Sequence, residues 1–140
     1  VHQAIADNKY LLLQSGMRLE VEEMQDTVYS DEKWVRFILN QLIANAVKYR
    51  TEQPVLRIST HKRQDQVVLV VEDNGIGIAE EEQAAVFQRF YRSERVNGMK
   101  GIGLGLYLAR EIIARQGGYI SLKSEPGKGS LFQVFLAEKQ

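Results

Sequence analysis

The run Val67 to Val71, VVLVV, is apolar without a break, and four of its five residues are valine. β-Branched side chains are stiff at χ1 and suit a pleated surface better than a helix. Five residues are too few for a helix of ordinary length and far short of the roughly 20 of a membrane span. Such a run, bounded by polar turn residues, reads as a central strand. Everything else in the chain must therefore be arranged around a sheet.

The neighbouring segments supply that sheet. "VLRIST" (55–60) and "QVVLVVED" (66–73) are strands joined by the polar turn "HKRQD". "YISLKS" (119–124) and "SLFQVFLAE" (130–138) form a second hairpin across "EPGKG". Residues 17–31 alternate enough for two short strands or one hairpin. Residues 1–15 read as a helix with Ile5, Leu11, Leu12 and Leu13 apolar. A longer helix runs from about 31 to 50, with Ser30 as its N-cap, and Pro54 cannot continue it. A short acidic helix (80–86), a polar loop (91–100) and a glycine-led helix follow. In that last helix Leu104, Leu108 and Ile112 recur at i, i+4, i+8, Ala109 and Ile113 widen the face, and Gly117 and Gly118 stand where a terminating glycine belongs. The expected class is α+β, a mostly antiparallel mixed sheet with helices on one face.

Composition bounds the function. The 140 residues suggest one domain, able to bury about 68–70% of its unfolded surface. Eighteen basic and eighteen acidic residues cancel, so no global charge drives the chain toward nucleic acid or anionic membrane. With no cysteine there is no disulfide framework, thiol nucleophile or thiolate metal site. No apolar run approaches a membrane span, and Val1 in place of Met leads us to expect a piece of a longer protein.

Three stretches carry chemistry. On the long helix Gln41, Asn45 and Lys48 fall within an arc of about 60°. They lie beside the apolar arc of Val35, Ile38, Leu39, Leu42 and Ala46. They therefore line the rim of the buried face, either as a polar boundary stripe or as ligands facing a cleft. An amide oxygen suits Mg²⁺, a lysine suits phosphate, and the ring of Tyr49 is placed to pack beside a base or ribose. In "EDNGIGI" Asp73 ends the central strand, and Gly75 and Gly77 allow a tight turn and a close approach. That is ordinary turn chemistry, or a carboxylate offered to an exocyclic amine such as adenine N6. In "KGIGLGLYLAR", Gly101, Gly103 and Gly105 precede a helix, baring backbone N–H groups at its positive end. The spacing is neither a dinucleotide-binding G-x-G-x-x-G nor a P-loop.

Together these stretches carry a resemblance. "NQLIANAVKY" looks like an N box, "DNGIGI" like a G1 box, "VFQRFYR" like an F box and "GIGLGL" like a G2 box, and "EPGKGSLF" resembles the closing glycine segment. In order and spacing, residues 17–137 resemble the catalytic ATP-binding domain of sensor histidine kinases, one of the GHKL ATPases with gyrase, the Hsp-ninety chaperone and MutL. The resemblance implies a two-layer α/β sandwich, the Bergerat fold, binding ATP with Mg²⁺. It implies Asn45 on the metal, Lys48 on phosphate, Tyr49 near the nucleoside and Asp73 on adenine, approached past Gly75, Gly77 and Ile78. Phe87 and Phe90 would anchor the base of a lid spanning 91–100. The segment Gly101, Ile102, Gly103, Leu104, Gly105, Leu106 would wrap the phosphates, with Ser130 in the closing segment. Of the lid cations Arg92, Arg95 and Lys100, the last is best placed for the γ-phosphate.

Gln41 departs from the family pattern, which often has Asn there; the amide is kept, on a longer arm toward the metal. Hydrolysing and serine-kinase relatives carry Glu at that position as a general base, a role a neutral amide cannot fill. The nucleophile is then expected from elsewhere, since neither His2 nor His61 sits in a phosphoacceptor pattern. Residues 1–16 would be a connector from a separate dimerisation and phosphoacceptor domain, and 17–140 the catalytic domain. The implied partners are that domain and a response regulator, with no nucleic acid. The parent would be a dimer in the bacterial plasma membrane with this part in the cytoplasm, and this piece alone a monomer. The alternatives are an ATP-sensing switch module without phosphotransfer, or an autonomous ATPase or serine kinase.

Overall fold

A computed structural model describes residues 2–22, 32–64, 66–88 and 105–137. The expectations for Ser30, Phe90, Arg92, Arg95, Lys100, Gly101, Ile102, Gly103 and Leu104 lie outside the described residues. The elements are α1 (His2–Asp7), α2 (Lys9–Ser15), β1 (Arg18–Glu22), α3 (Glu32–Lys48), β2 (Val55–Arg63), β3 (Gln66–Asp73), α4 (Glu80–Gln83), a 3₁₀ turn (Ala85–Phe87), α5 (Gly105–Arg115), β4 (Tyr119–Glu125) and β5 (Gly129–Ala137).

The five strands form one sheet in the order β1-β2-β3-β5-β4. The apolar run of β3 occupies the middle, antiparallel to β2 and β5, and β4 pairs antiparallel with β5. Only β1 pairs parallel, Arg18 with Val55 through Glu22 with Ser59. Parallel neighbours need a crossover, and α3 is that crossover. The sheet is thus mixed and mostly antiparallel, as expected.

Strand alternation sorts the core from the open face. Leu56 and Ile58, Val67, Leu69 and Val71, and Phe132, Val134 and Leu136 all point at the helices and are nearly inaccessible. Facing them, α3 contributes Val35, Ile38, Leu39, Leu42 and Ala46, the apolar arc read from the sequence, together with Ile43, and α5 contributes Ala109 and Ile113. Each fully buried Leu, Ile or Phe contributes about 1.5–3 kcal/mol relative to exposure. On the opposite face, Tyr119 stacks on Phe135 with ring centroids 4.3 Å apart.

Four expectations are corrected. The N-terminal helix is two helices, broken at Asn8, whose side-chain amide reaches back to the Ala4 carbonyl at 2.8 Å and across to Asn40 Oδ1 at 2.9 Å. The first hairpin turn is shorter than "HKRQD", because β2 continues through Arg63. His61 is therefore a strand residue, exposed, with its Nε2 3.0 Å from Ser59 Oγ. The acidic helix stops at Gln83 and tightens into the 3₁₀ turn. On α5 the buried stripe is Ala109 and Ile113 with Leu106 and Ile112 half-covered, while Leu108 is exposed, because α5 lies between α3 and β4. Its end is as expected: Gly117 takes φ +78°, Gly118 N–H donates to Ile113 O and Gly117 N–H to Ala114 O, closing the helix with a left-handed glycine.

Candidate functional site

Four pieces of chain converge at one end of the sheet. The first is the last turns of α3. Gln41, Asn45 and Lys48 are half-buried on the rim of the apolar face, as the 100° periodicity requires. The Lys48 ammonium stands 5.8 Å from the centroid of the Tyr49 ring. Tyr49 itself is only 3% exposed and belongs to the core. Its backbone carbonyl reaches the neighbouring loop, accepting from Ile76 N–H at 2.9 Å.

That loop, 74–78, is the second piece. Asp73 ends β3 at 6% exposure, and its Oδ1 accepts from Gly75 N–H at 2.8 Å. Gly75 cannot carry a side chain: a Cβ there would lie 2.4 Å from Tyr49 O and 2.9 Å from Asp73 Oδ1. Burial pushes the Asp73 carboxyl up to about 6, against the opposing pull of the Gly75 and Ser130 backbone N–H groups. Burial works against the charged form of this carboxyl, and the hydrogen bonds it accepts work for it.

The third piece is the β4–β5 hairpin. Gly77, at φ +75°, passes so near Glu125 O that a Cβ would sit 2.0 Å from it, and Gly127 N–H donates to Ile76 O at 2.7 Å. Ile78 N–H donates to Ser124 Oγ at 2.7 Å, and that hydroxyl lies 2.9 Å from Ser130 Oγ and donates to Gly129 O at 2.8 Å. Gln83 of α4 clamps the junction, its Nε2 donating to Ile78 O at 2.9 Å and Ser124 O at 2.7 Å. Phe87 packs edge-on against Phe132 at 6.2 Å, and the Arg110 guanidinium stands 5.5 Å from the Phe87 centroid. The fourth piece is the start of α5, where Gly105 and Leu106 are half-buried against α3.

A cavity of about 530 Å³ at this end is lined by Asp73, Gln83, Leu122, Ser124 and Ser130 among others; Asn45 and Lys48 are not part of its wall. Among the described residues no three His, Cys, Asp or Glu side chains gather into a metal cage. The donor set on α3 is instead neutral amide oxygen beside one ammonium. That set fits a hard cation that keeps waters and takes most of its ligands from a bound phosphate, as Mg²⁺ does.

Sequence reasoning missed Ser124 and Gln83. Ser124 reads as a hairpin residue, and its partner Ile78 is 46 positions away in the chain. A hydroxyl in a strand has no pattern that announces a distant amide. Asn74 is turn chemistry by its sequence, and its side chain also holds the start of β2, accepting from Val55 N–H at 2.7 Å and donating to Gln53 O at 3.2 Å.

The family profile described as "Histidine kinase-, DNA gyrase B-, and HSP90-like ATPase" matches residues 30–140. The chain belongs to that family. Within it the likeness is to the catalytic ATP-binding domain of sensor histidine kinases. The chain is 39% identical over 129 residues to the adaptive-response sensory kinase SasA of Crocosphaera subtropica, covering 90% of this chain and 34% of that protein. It is 38% identical over 125 residues to the sensor protein kinase PmrB of Pseudomonas aeruginosa, covering 87% of this chain and 26% of that one. It thus spans about a third or less of the length of these histidine kinase relatives. In three dimensions it superposes on full-length ShkA, a structure in complex with AMPPNP, with a TM-score of 0.87 at 23% identity, over 99% of this chain and 29% of that one. Among the described residues no helix of this family member is long and apolar enough to cross a membrane.

Proposed function

We propose that this domain binds Mg-ATP and, within a longer sensor kinase, donates the γ-phosphoryl group to a histidine on a separate domain, from which a response regulator takes it. The observation that carries the reading is Asp73, a buried carboxylate aimed into a glycine gap. Its free acceptor capacity suits the exocyclic amine of adenine, and a hydrogen bond to a charged acceptor is worth about 1.5–3 kcal/mol. Gly75 puts no side chain against Asp73 Oδ1, Gly77 lets the loop close on the Glu125 backbone, Ile78 and Phe87 supply apolar wall, and Ser130 backs the carboxylate. Asn45 would hold the metal, with Gln41 one turn earlier on a longer arm, and Lys48 would meet phosphate; the sequence adds Lys100 and the glycines 101, 103 and 105 on the phosphate side. Bound there, Mg²⁺ would neutralise phosphate charge during transfer. Tyr49 would serve the nucleoside from beneath, by fixing the loop through its carbonyl. The superposition on a kinase solved with an ATP analogue and the sensor kinase relatives support the reading.

Gln41 is a neutral amide where a hydrolysing enzyme needs a base, so the domain should hold ATP rather than spend it on water. Residues 1–16 fit a connector: α1 and α2 pack on α3 yet leave Tyr10 and Leu13 about 70% exposed, apolar surface suited to the rest of a kinase. A soluble, cytoplasmic position beneath a membrane-anchored dimer follows from the same reading.

Calorimetric titration with Mg-ATP tests it. Wild-type protein should bind, and Asp73→Ala should lose detectable affinity while keeping its circular dichroism. Unchanged affinity in that variant would sink the assignment. Asn45→Ala should weaken binding mainly when Mg²⁺ is present; equal loss with and without the metal would remove Asn45 from the metal's surroundings.

A further inference from the structure

Gly105 is the first residue of α5, and its backbone does not explain why it is glycine. The described glycines with positive φ are Gly16, Gly77, Gly117, Gly127 and Gly129, and Gly105 is not among them. Any residue could adopt its conformation, and alanine would favour the helix. The reason lies in what stands over it. A Cβ built on Gly105 would be 2.0 Å from Gln41 Oε1, 3.1 Å from its Cδ and 3.8 Å from its Cγ, so the three nearest atoms all belong to one side chain of α3.

This contact differs in kind from those at Gly77, Gly118 and Gly129. There the missing Cβ would strike backbone oxygens, of Glu125, Phe135 and Asp73, at 1.9–2.1 Å, and the fold itself would have to move. At Gly105 it would strike the far end of a flexible glutamine. The helix would stay and the amide would swing away. Among the described residues, the absence of a side chain at 105 therefore bears first on where the Gln41 carboxamide sits. Gln41 shares its helical arc with Asn45 and Lys48, one turn apart.

We propose that Gly105 is a positioning residue: it leaves the slot in which the Gln41 carboxamide lies, so that the start of α5 sets the orientation of an amide on the metal-and-phosphate rim of α3. The resemblance also places Gly105 in the segment that would wrap the phosphates, and its effect on Gln41 is separate from that role. It also makes positions 41 and 105 a pair, a long amide on one helix matched to a bare Cα on the other. This inference rests on the Mg-ATP reading of the site for its functional consequence, while the contact itself does not.

The test is a double-mutant cycle on Mg-ATP affinity with Gln41→Ala, Gly105→Ala and the two combined, read beside the Gln41 side-chain amide resonances in nucleotide-free protein. Gly105→Ala should shift those resonances. Each single variant should lose affinity by a similar factor, roughly two- to tenfold for one hydrogen-bonding group, and the double should be no weaker than either single. Should Gly105→Ala fail to fold, recovery of folding in the double variant supports the contact, and failure of both overturns it. Unmoved Gln41 resonances would overturn the proposal, as would wild-type affinity in Gly105→Ala or an additive loss in the double, which would mean that the glycine acts through its own backbone. If wild-type protein binds no Mg-ATP, the functional reading falls and the positioning role with it, while the resonance shift still decides the contact.

Discussion

Burial and hydrogen bonding pull the Asp73 carboxyl in opposite directions. Burial raises its carboxyl to about 6, while Gly75 and Ser130 N–H groups favour its charged form. Because the folded value lies above the ordinary carboxylate value, the folded protein binds the extra proton more readily than the unfolded chain. The group's contribution to stability is present in full below about pH 4 and is lost as pH rises through about 6. At pH 8 the ionised carboxylate therefore weakens the nucleotide-free fold, and Asp73→Asn should raise its stability by about 1–3 kcal/mol in urea denaturation while ATP affinity is lost. The wild-type affinity should fall as pH is lowered through about 6, when the acceptor becomes neutral. A variant no more stable than wild type at pH 8 would mean that the carboxyl is better solvated than its burial implies. The residue was legible from the sequence, since a strand ending in Asp-Asn-Gly-x-Gly is a local pattern. Its energetics were not, because they come chiefly from burial in the folded protein, with the Ser130 N–H, distant in the chain, pulling the other way.

Elements are joined here by polar contacts that periodicity cannot show. α1 is tied to α3 through Asp7, which takes Arg36 Nε at 2.6 Å on one oxygen, its Nη2 on the other, and Asn40 Nδ2 at 3.1 Å. The Arg36 and Asn40 hydrogen bonds hold the Asp7 carboxyl down to about 2. Asp7→Ala should speed amide hydrogen exchange across α1 and leave the middle of α3 unchanged; equal protection of α1 would assign its docking to Ala4 packing alone. The break at Asn8, where a single helix was expected, has the same origin, because Asn8 bonds to Asn40 as well as to its own helix. α5 teaches a related lesson. Its apolar period was visible, but the sequence offered two overlapping stripes, and the position of α5 against α3 and β4 chose Ala109 and Ile113 over Leu108.

At the scale of the whole molecule, one core carries both the fold and the site. Phe132 is 1% exposed, packed between the sheet and Phe87. Phe132→Ala should cost about 3–5 kcal/mol in denaturant unfolding. It should also lower Mg-ATP affinity in protein that remains folded, since Phe87 would lose its support; a stability loss below about 1 kcal/mol would mean that the core closes over the gap. By itself the sequence determined the class of fold, the central strand, the long helix with its polar rim, both hairpins and the boxes that mark the family. All of these are short-range: a period of two or 3.6, a turn residue at a fixed offset, a glycine beside an acid. Only the tertiary structure decided that β1 lies parallel to β2, that Tyr49 is buried with its carbonyl accepting from Ile76, that Ser124 and Gln83 clamp the loop, and that the Gln41 side chain lies over the bare Cα of Gly105. Those contacts join residues far apart in the chain, and no local pattern encodes the chemistry of a partner that only folding brings near.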